Sequence, residues 1–168
     1  MNKHLVAPVA AGILLAVAGA AQAATKTATI NVSASVAKNC IISAENLALG
    51  TFDGTNNLNT DGDITVRCTS GTGYTVQLST GTSGSYTNRT LLGPSSSTLI
   101  YNLYTTNAYG TIWGNNTGGS GHITGTGAGM GTTNDVTHTV YARLLAADNG
   151  GPVEAGAYTD TITATIIY

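Results

Sequence analysis

The chain has 168 residues, which suits one domain. Only 8% of them are charged, the formal net charge is −2, and 22 are glycine. This composition offers no basic face for nucleic acid and no Glu/Lys flanks for a coiled coil, and its 42% apolar content excludes charge-driven disorder.

Residues 1–23 have the layout of a secretory signal. Lys3 and His4 form a short polar start, Leu5 to Ala20 an apolar stretch, and Ala21-Gln22-Ala23 the small-x-small pattern of a cleavage site. A membrane anchor needs about 20 unbroken apolar residues, and this run is shorter. The mature chain is then 24–168. Export places Cys40 and Cys68, the only two cysteines, in an oxidising compartment, so the pattern predicts one disulfide between them. Two cysteines at that separation lack metal-ligand spacing. In the chain-entropy model the enclosed loop is worth about 3.5 kcal/mol.

Period-2 alternation runs through the mature chain. Ala28, Ile30, Val32, Ala34 and Val36 alternate with polar residues and Ala37. Cys40-Ile41-Ile42 suits a strand better than a helix. Further alternating strands are predicted over Ile64–Cys68, Tyr74–Leu78, Leu99–Tyr104, Val136–Leu144 and Tyr158–Tyr168. Asp53-Gly54, Asp61-Gly62, Ser70-Gly71, Gly81 to Gly84, Gly93-Pro94, Asn149 to Pro152 and Ala155-Gly156 are predicted turns. Residues 105–134 are crowded with glycine and are expected to be irregular, with strand pieces near Tyr109–Trp113. Seven or so short strands with this spacing predict an all-β antiparallel sandwich of immunoglobulin-like outline.

Both ends depart from a self-contained sandwich. No Gly or Pro lies between Ala24 and Leu49, so the first alternating strand has no turn with which to fold back as a hairpin. The sequence reaches Tyr168 inside a strand, and no further strand follows to close an immunoglobulin-like groove. An immunoglobulin-like domain lacking its final strand, completed by a strand donated from another chain, accounts for both ends. Burying Ile30, Val32 and Val36 would contribute roughly 1.5–3 kcal/mol each. An ordinary edge strand within its own sheet fits the first segment equally well, and the sequence leaves the two open.

Five segments, in order, resemble the spore coat protein U domain family, which includes the pilin subunits of archaic chaperone–usher pili. They are Cys68-Thr-Ser-Gly-Thr-Gly-Tyr74-Thr-Val, Leu99-Ile-Tyr101-Asn-Leu-Tyr104, Thr111-Ile-Trp113-Gly, Thr139-Val-Tyr141-Ala-Arg143-Leu and Gly156-Ala-Tyr158-Thr-Asp160-Thr161. The resemblance covers nearly all of 24–168. It implies a donor-strand extension at 24–36 carrying Ala28, Ile30, Val32 and Ala34, and a sandwich domain at 37–168. It implies an acceptor groove and chaperone-contact strand including Tyr158, Ile162, Ala164, Ile166 and Tyr168, with the Tyr168 carboxylate anchored on basic chaperone residues. The implied partners are a periplasmic chaperone, an outer-membrane usher and neighbouring copies of itself. The implied setting is the periplasm in transit and then the cell surface, where the fibre supports adhesion or biofilm formation. A coat or matrix protein of the same fold, and a self-closed carbohydrate-binding module, are the alternatives.

Chemistry-bearing patterns are weak, so neither enzymatic activity nor any cofactor or metal is expected. His122, His138 and Asp135 with a serine have no nucleophile elbow around them. Asp61-Gly-Asp63 lacks the remaining oxygen ligands of a calcium loop and is expected to be a turn. Gly125-x-Gly127-x-Gly129 lacks the strand–helix frame of a phosphate loop. Tyr101, Tyr104, Tyr109 and Trp113 suit packing better than a sugar platform.

Overall fold

The structure, a computed structural model, describes residues 22–168. The predicted signal at 1–23 falls outside those residues, apart from Gln22 and Ala23. The chain divides into two compact units, Met1–Ser35 and Val36–Tyr168. In the first, residues 22–35 form no helix or strand and are exposed throughout, Ile30 and Val32 included.

The second unit is an all-β sandwich of eight strands: β1 Cys40–Ala44, β2 Leu58–Cys68, β3 Gly73–Leu78, β4 Arg89–Leu92, β5 Thr98–Tyr104, β6 Ile123–Thr126, β7 Val136–Leu144 and β8 Ala164–Ile167. No α-helix occurs among the described residues. One sheet has the order β1-β2-β7-β5-β4 and the other β6-β3-β8, with every strand pair antiparallel. In an immunoglobulin domain one sheet reads A-B-E-D and the other C-F-G. Here β1-β2-β7-β5 takes the first course and β3-β8 the places of C and F. The place of G, beside β8, is an unpaired edge among the described residues.

Alternation creates the core. On β2, Ile64, Val66 and Cys68 point inward, and on β7 Val140, Ala142 and Leu144 do the same. They meet Tyr74, Val76 and Leu78 of β3, while Trp113 fills the centre with no exposed surface and donates its indole N–H to the Val76 carbonyl at 3.0 Å. Cys40 and Cys68 are opposite one another in the β1–β2 ladder and form the disulfide, with Cα atoms 4.1 Å apart. It closes one end of the sandwich, next to Thr69, whose N–H donates to the Asn39 carbonyl at 2.9 Å.

Three expectations need correction. Asp61-Gly62 is no turn, because β2 runs straight through it from Leu58. Gly62 is there for space: a Cβ built on it would lie 2.8 Å from a Leu47 methyl, so the bare glycine lets the segment after β1 lie flat on β2. The last strand is shorter than Tyr158–Tyr168. Thr159 bridges to Leu92 at the β4 edge, and only Ala164–Ile167 joins β3, so residues 160–163 cross from one sheet to the other. Strands β4 and β6 lie where no clear alternation marks them. β4 is instead built around Arg89, a buried charge in a four-residue strand.

Thiol titration of the oxidised, unfolded protein should find no free cysteine, and two reactive thiols would refute the bridge. Replacing both cysteines by alanine should cost about 2–4 kcal/mol of unfolding free energy in denaturant titration.

Candidate functional site

The molecule's most distinctive feature is a cleft of about 410 Å³ running into the core. Packed interiors rarely leave voids larger than a water molecule, so a space of this size marks a break in the packing. Its floor is the inner face of the five-stranded sheet, with Ile64, Leu103, Val140 and Ala142. Leu47 and Leu49, in the segment after β1, form one wall. Ile162 and Ala164 form the other, with Leu78 beneath them. Both walls are incompletely covered: Leu47, Leu49, Ile162 and Ala164 are all half-buried.

The walls continue from two strand edges that lack partners among the described residues. β1 pairs only with β2, and β8 only with β3. The two run in opposite directions. β1 rises from the disulfide end toward Ala44, whereas β8 descends from Ala164, opposite Leu78, to Ile167, opposite Thr75. Unpaired backbone donors and acceptors along an apolar trough are what strand addition requires.

Carboxylates also reach the cleft. Glu45, Asp63 and Asp160 all line it. The Glu45 Oε2 accepts the Asp63 N–H at 3.2 Å, and Asp63 Oδ1 accepts the Thr139 hydroxyl at 2.9 Å. Asp160 is the best anchored. It accepts the Thr82 hydroxyl at 2.7 Å, the Thr82 N–H at 2.9 Å, the Thr161 N–H at 2.8 Å and the Tyr101 hydroxyl at 2.7 Å. Partial burial opposes its charge, but these donors from Thr82, Tyr101 and Thr161 outweigh it and hold the pKa below the usual carboxylate range. Gly81 makes this possible. It sits at φ +66°, and a Cβ there would lie 2.1 Å from the Asp160 carboxylate. Behind Tyr101, the fully buried Arg89 guanidinium donates to the carbonyls of Ser79 and Trp113 and to Asn102 Oδ1. Burial lowers its pKa, while the charge of Asp160 works in the opposite direction.

The sequence-predicted residues separate into groups. Ile162 and Ala164 line the cleft. Ile166 packs on the core further down β8, and Tyr168 is exposed beyond it. Tyr158 stands apart from the cleft: its ring lies against Gly93, and its hydroxyl donates to the Glu154 carbonyl at 2.8 Å, in the manner of a tyrosine corner. Leu47, Leu49, Gly62 and Arg89 were not anticipated. The first two sit in a stretch without strand alternation, so no signal in the sequence marks it as lying against the sheet. The imagined triad does not assemble, since His138 Nε2 is hydrogen-bonded to the Tyr74 hydroxyl at 2.9 Å and Asp135 pairs with Arg67 at 2.6 Å.

Comparison with known proteins bears on this cleft. The Spore Coat Protein U domain family matches residues 26–165. No curated protein matches the chain. Among solved structures, the chain is similar to a chain of the CsuC–CsuE chaperone–tip adhesion subunit pre-assembly complex from the archaic chaperone-usher Csu pili of Acinetobacter baumannii. The TM-score is 0.55 at 21% identity, over 79% of this chain and 40% of that one. At that identity the likeness concerns the fold, and this chain spans well under half of the other's length.

Because Asp160 has a depressed folded-state pKa, it contributes stability that is present above its unfolded value, near 4, and is lost as pH falls through the folded value. Asp160→Asn should lower stability at pH 7 by about 2 kcal/mol and flatten the acid limb of a stability–pH curve. An acid limb identical to that of the wild type would show that the carboxylate is not held as described.

Proposed function

The chain belongs to the Spore Coat Protein U domain family, and from that premise we propose that it is a structural subunit of a surface fibre of the archaic chaperone–usher kind, polymerising by strand donation. The observation that carries this reading is the apolar cleft between the segment after β1 and residues 160–164, which lead off the unpaired edges of β1 and β8, beside the place where an immunoglobulin domain has its G strand. The similarity to a chain from a chaperone–subunit complex agrees with it.

The donor is the extension at 24–36. Ala28, Ile30, Val32 and Ala34 share one face of an extended strand, and Ile30 is 86% and Val32 92% exposed. Isolated, exposed β-branched residues at this spacing gain most by entering a trough on another copy. Burying Ile30 and Val32 there contributes roughly 1.5–3 kcal/mol each, and main-chain hydrogen bonds along β8 add to it. Ile162, Ala164 and Ile166 form the receiving strand, and Tyr168 stands at its end. Before assembly, a periplasmic chaperone lends the strand; an outer-membrane usher then exchanges it for the next subunit's extension. The subunit is therefore exported, and the finished fibre stands at the cell surface, where it supports adhesion or biofilm formation.

Two variants test this. Ile30→Asp should abolish multimers in native electrophoresis while the domain's circular dichroism stays unchanged, and multimers of unchanged size would refute donation through this strand. A second copy of residues 25–36, joined after Tyr168 by a flexible linker, should give a monomer melting roughly 10 °C or more above the unmodified chain. No gain in melting temperature would contradict an open cleft.

A further inference from the structure

The four aromatic residues that the sequence offers as a platform part company in the fold. Tyr101 and Trp113 are buried in the core, whereas Tyr104 and Tyr109 are only half-buried. On β5 and β7 the inward positions are Leu103, Val140, Ala142 and Leu144, so Tyr104, Tyr141 and Arg143 belong to the outer face of the five-stranded sheet. Tyr104 and Tyr141 stand directly opposite one another in the β5–β7 ladder, and Asp61 of β2 faces Tyr141 from the other side. Side chains so placed are about 4.5–5.5 Å apart at Cβ, so the three form one continuous row. Tyr109 joins them from the turn after β5, which the Thr105 N–H closes by donating to the Thr111 carbonyl at 3.0 Å. Its ring meets Tyr104 edge to face at 5.3 Å and carries the Arg143 guanidinium at 4.8 Å. Tyr109 holds this position at φ +55°, a left-handed conformation that is costly for a bulky side chain. Toward the disulfide end the same face carries Thr65, Thr137 and the Arg67–Asp135 ion pair instead. Arg143 is unspent: its buried Nε has no hydrogen-bond partner among the described residues, and none of their carboxylates pairs with it.

We propose that this row binds a neutral saccharide chain, with a pyranose ring stacked on Tyr104 and Tyr141 while Arg143 and Asp61 engage its hydroxyl groups. One face of a pyranose is a patch of C–H bonds, whose positive hydrogens suit the negative face of a tyrosine ring. Its hydroxyls both donate and accept, so they call for an acceptor and a forked donor side by side, as Asp61 and Arg143 supply. An acidic sugar fits less well. Asp61 lies in the row itself and the charge of Asp148 reaches Tyr104, so two carboxylates stand against one arginine. Tyrosine and arginine are also the side chains that give most binding energy when a surface is covered. The row lies on the outer face of the sheet, whereas the cleft opens on its inner face, so this site is independent of strand donation.

Calorimetric titration of the mature chain carrying Ile30→Asp with cellohexaose, mannohexaose and hexagalacturonate tests the site. At least one neutral hexasaccharide should bind, about 10-fold or more tighter than hexagalacturonate, and its affinity should change less than about 2-fold between 10 mM and 1 M NaCl. Tyr141→Ala should weaken that binding about 10-fold. Asp61→Asn should weaken it several-fold, and Tyr141→Phe, which keeps the ring, less than about 3-fold. Circular dichroism checks that each variant folds, and the Phe and Asn variants carry the test if alanine disturbs the sheet. No binding of any of the three, tightest binding of hexagalacturonate, affinity that collapses with salt, or neutral binding undiminished by Tyr141→Ala and Asp61→Asn would overturn the site. Loss of multimers on Tyr141→Ala in the chain with Ile30 intact would make this face a contact between copies, and would overturn it too. None of these results contradicts strand donation, which Ile30→Asp tests by itself.

Discussion

Two edge strands, β1 and β8, lead into the two walls of an apolar trough, and neither has a second partner in its own sheet. Everything distinctive about the sandwich follows from that. Backbone N–H and C=O groups on an exposed edge invite another strand, and an exposed trough of leucine, isoleucine and valine invites burial. Most sandwiches remove both hazards by closing the sheet. Here β8 leaves the place of G open, and the segment after β1 covers the trough only partly because it lies flat on Gly62. Elsewhere the sandwich is tied together. The disulfide fixes β1 to β2 at one end, and Trp113 fills the centre without exposed surface.

The polar cluster around Asp160 has a structural role close to the opening. Residues 160–163 cross between sheets, a path that forfeits ladder hydrogen bonds. Asp160 replaces them with four donors, and Arg89 behind Tyr101 spends its own donors on carbonyls of the β3 end and the Trp113 loop. The wall leading into β8 is thus held in shape even while its edge is bare. A buried arginine with every nitrogen hydrogen-bonded and a carboxylate nearby is tolerable where an isolated one would be costly.

Much of this was legible in the residues. Clean alternation located β2, β3, β5 and β7, because each has one face in the core and one outward, and the two cysteines fell opposite one another as export implied. Asp61-Gly62 misled because the dipeptide favours turns locally, whereas here Gly62 answers a packing demand from Leu47, fifteen residues earlier in the chain. β4 and β6 escaped because four-residue strands carry too few residues for a period to show, and Arg89 looks like a surface residue until its acceptors are known. The cleft itself left only an indirect trace: an alternating segment with no turn to fold it back. Leu47 and Leu49 belong to no strand, so no periodicity marks them as a wall.

Amide hydrogen exchange along Asp160–Ile167 tests the central claim most directly, because it reads the bare edge itself. Amides of β8 that face away from β3 should exchange quickly in the isolated monomer and become protected, together with those of Ala28–Ala34, when the chain assembles. Equal protection of that edge in monomer and assembly would mean that the sandwich is already complete, and the account would fail.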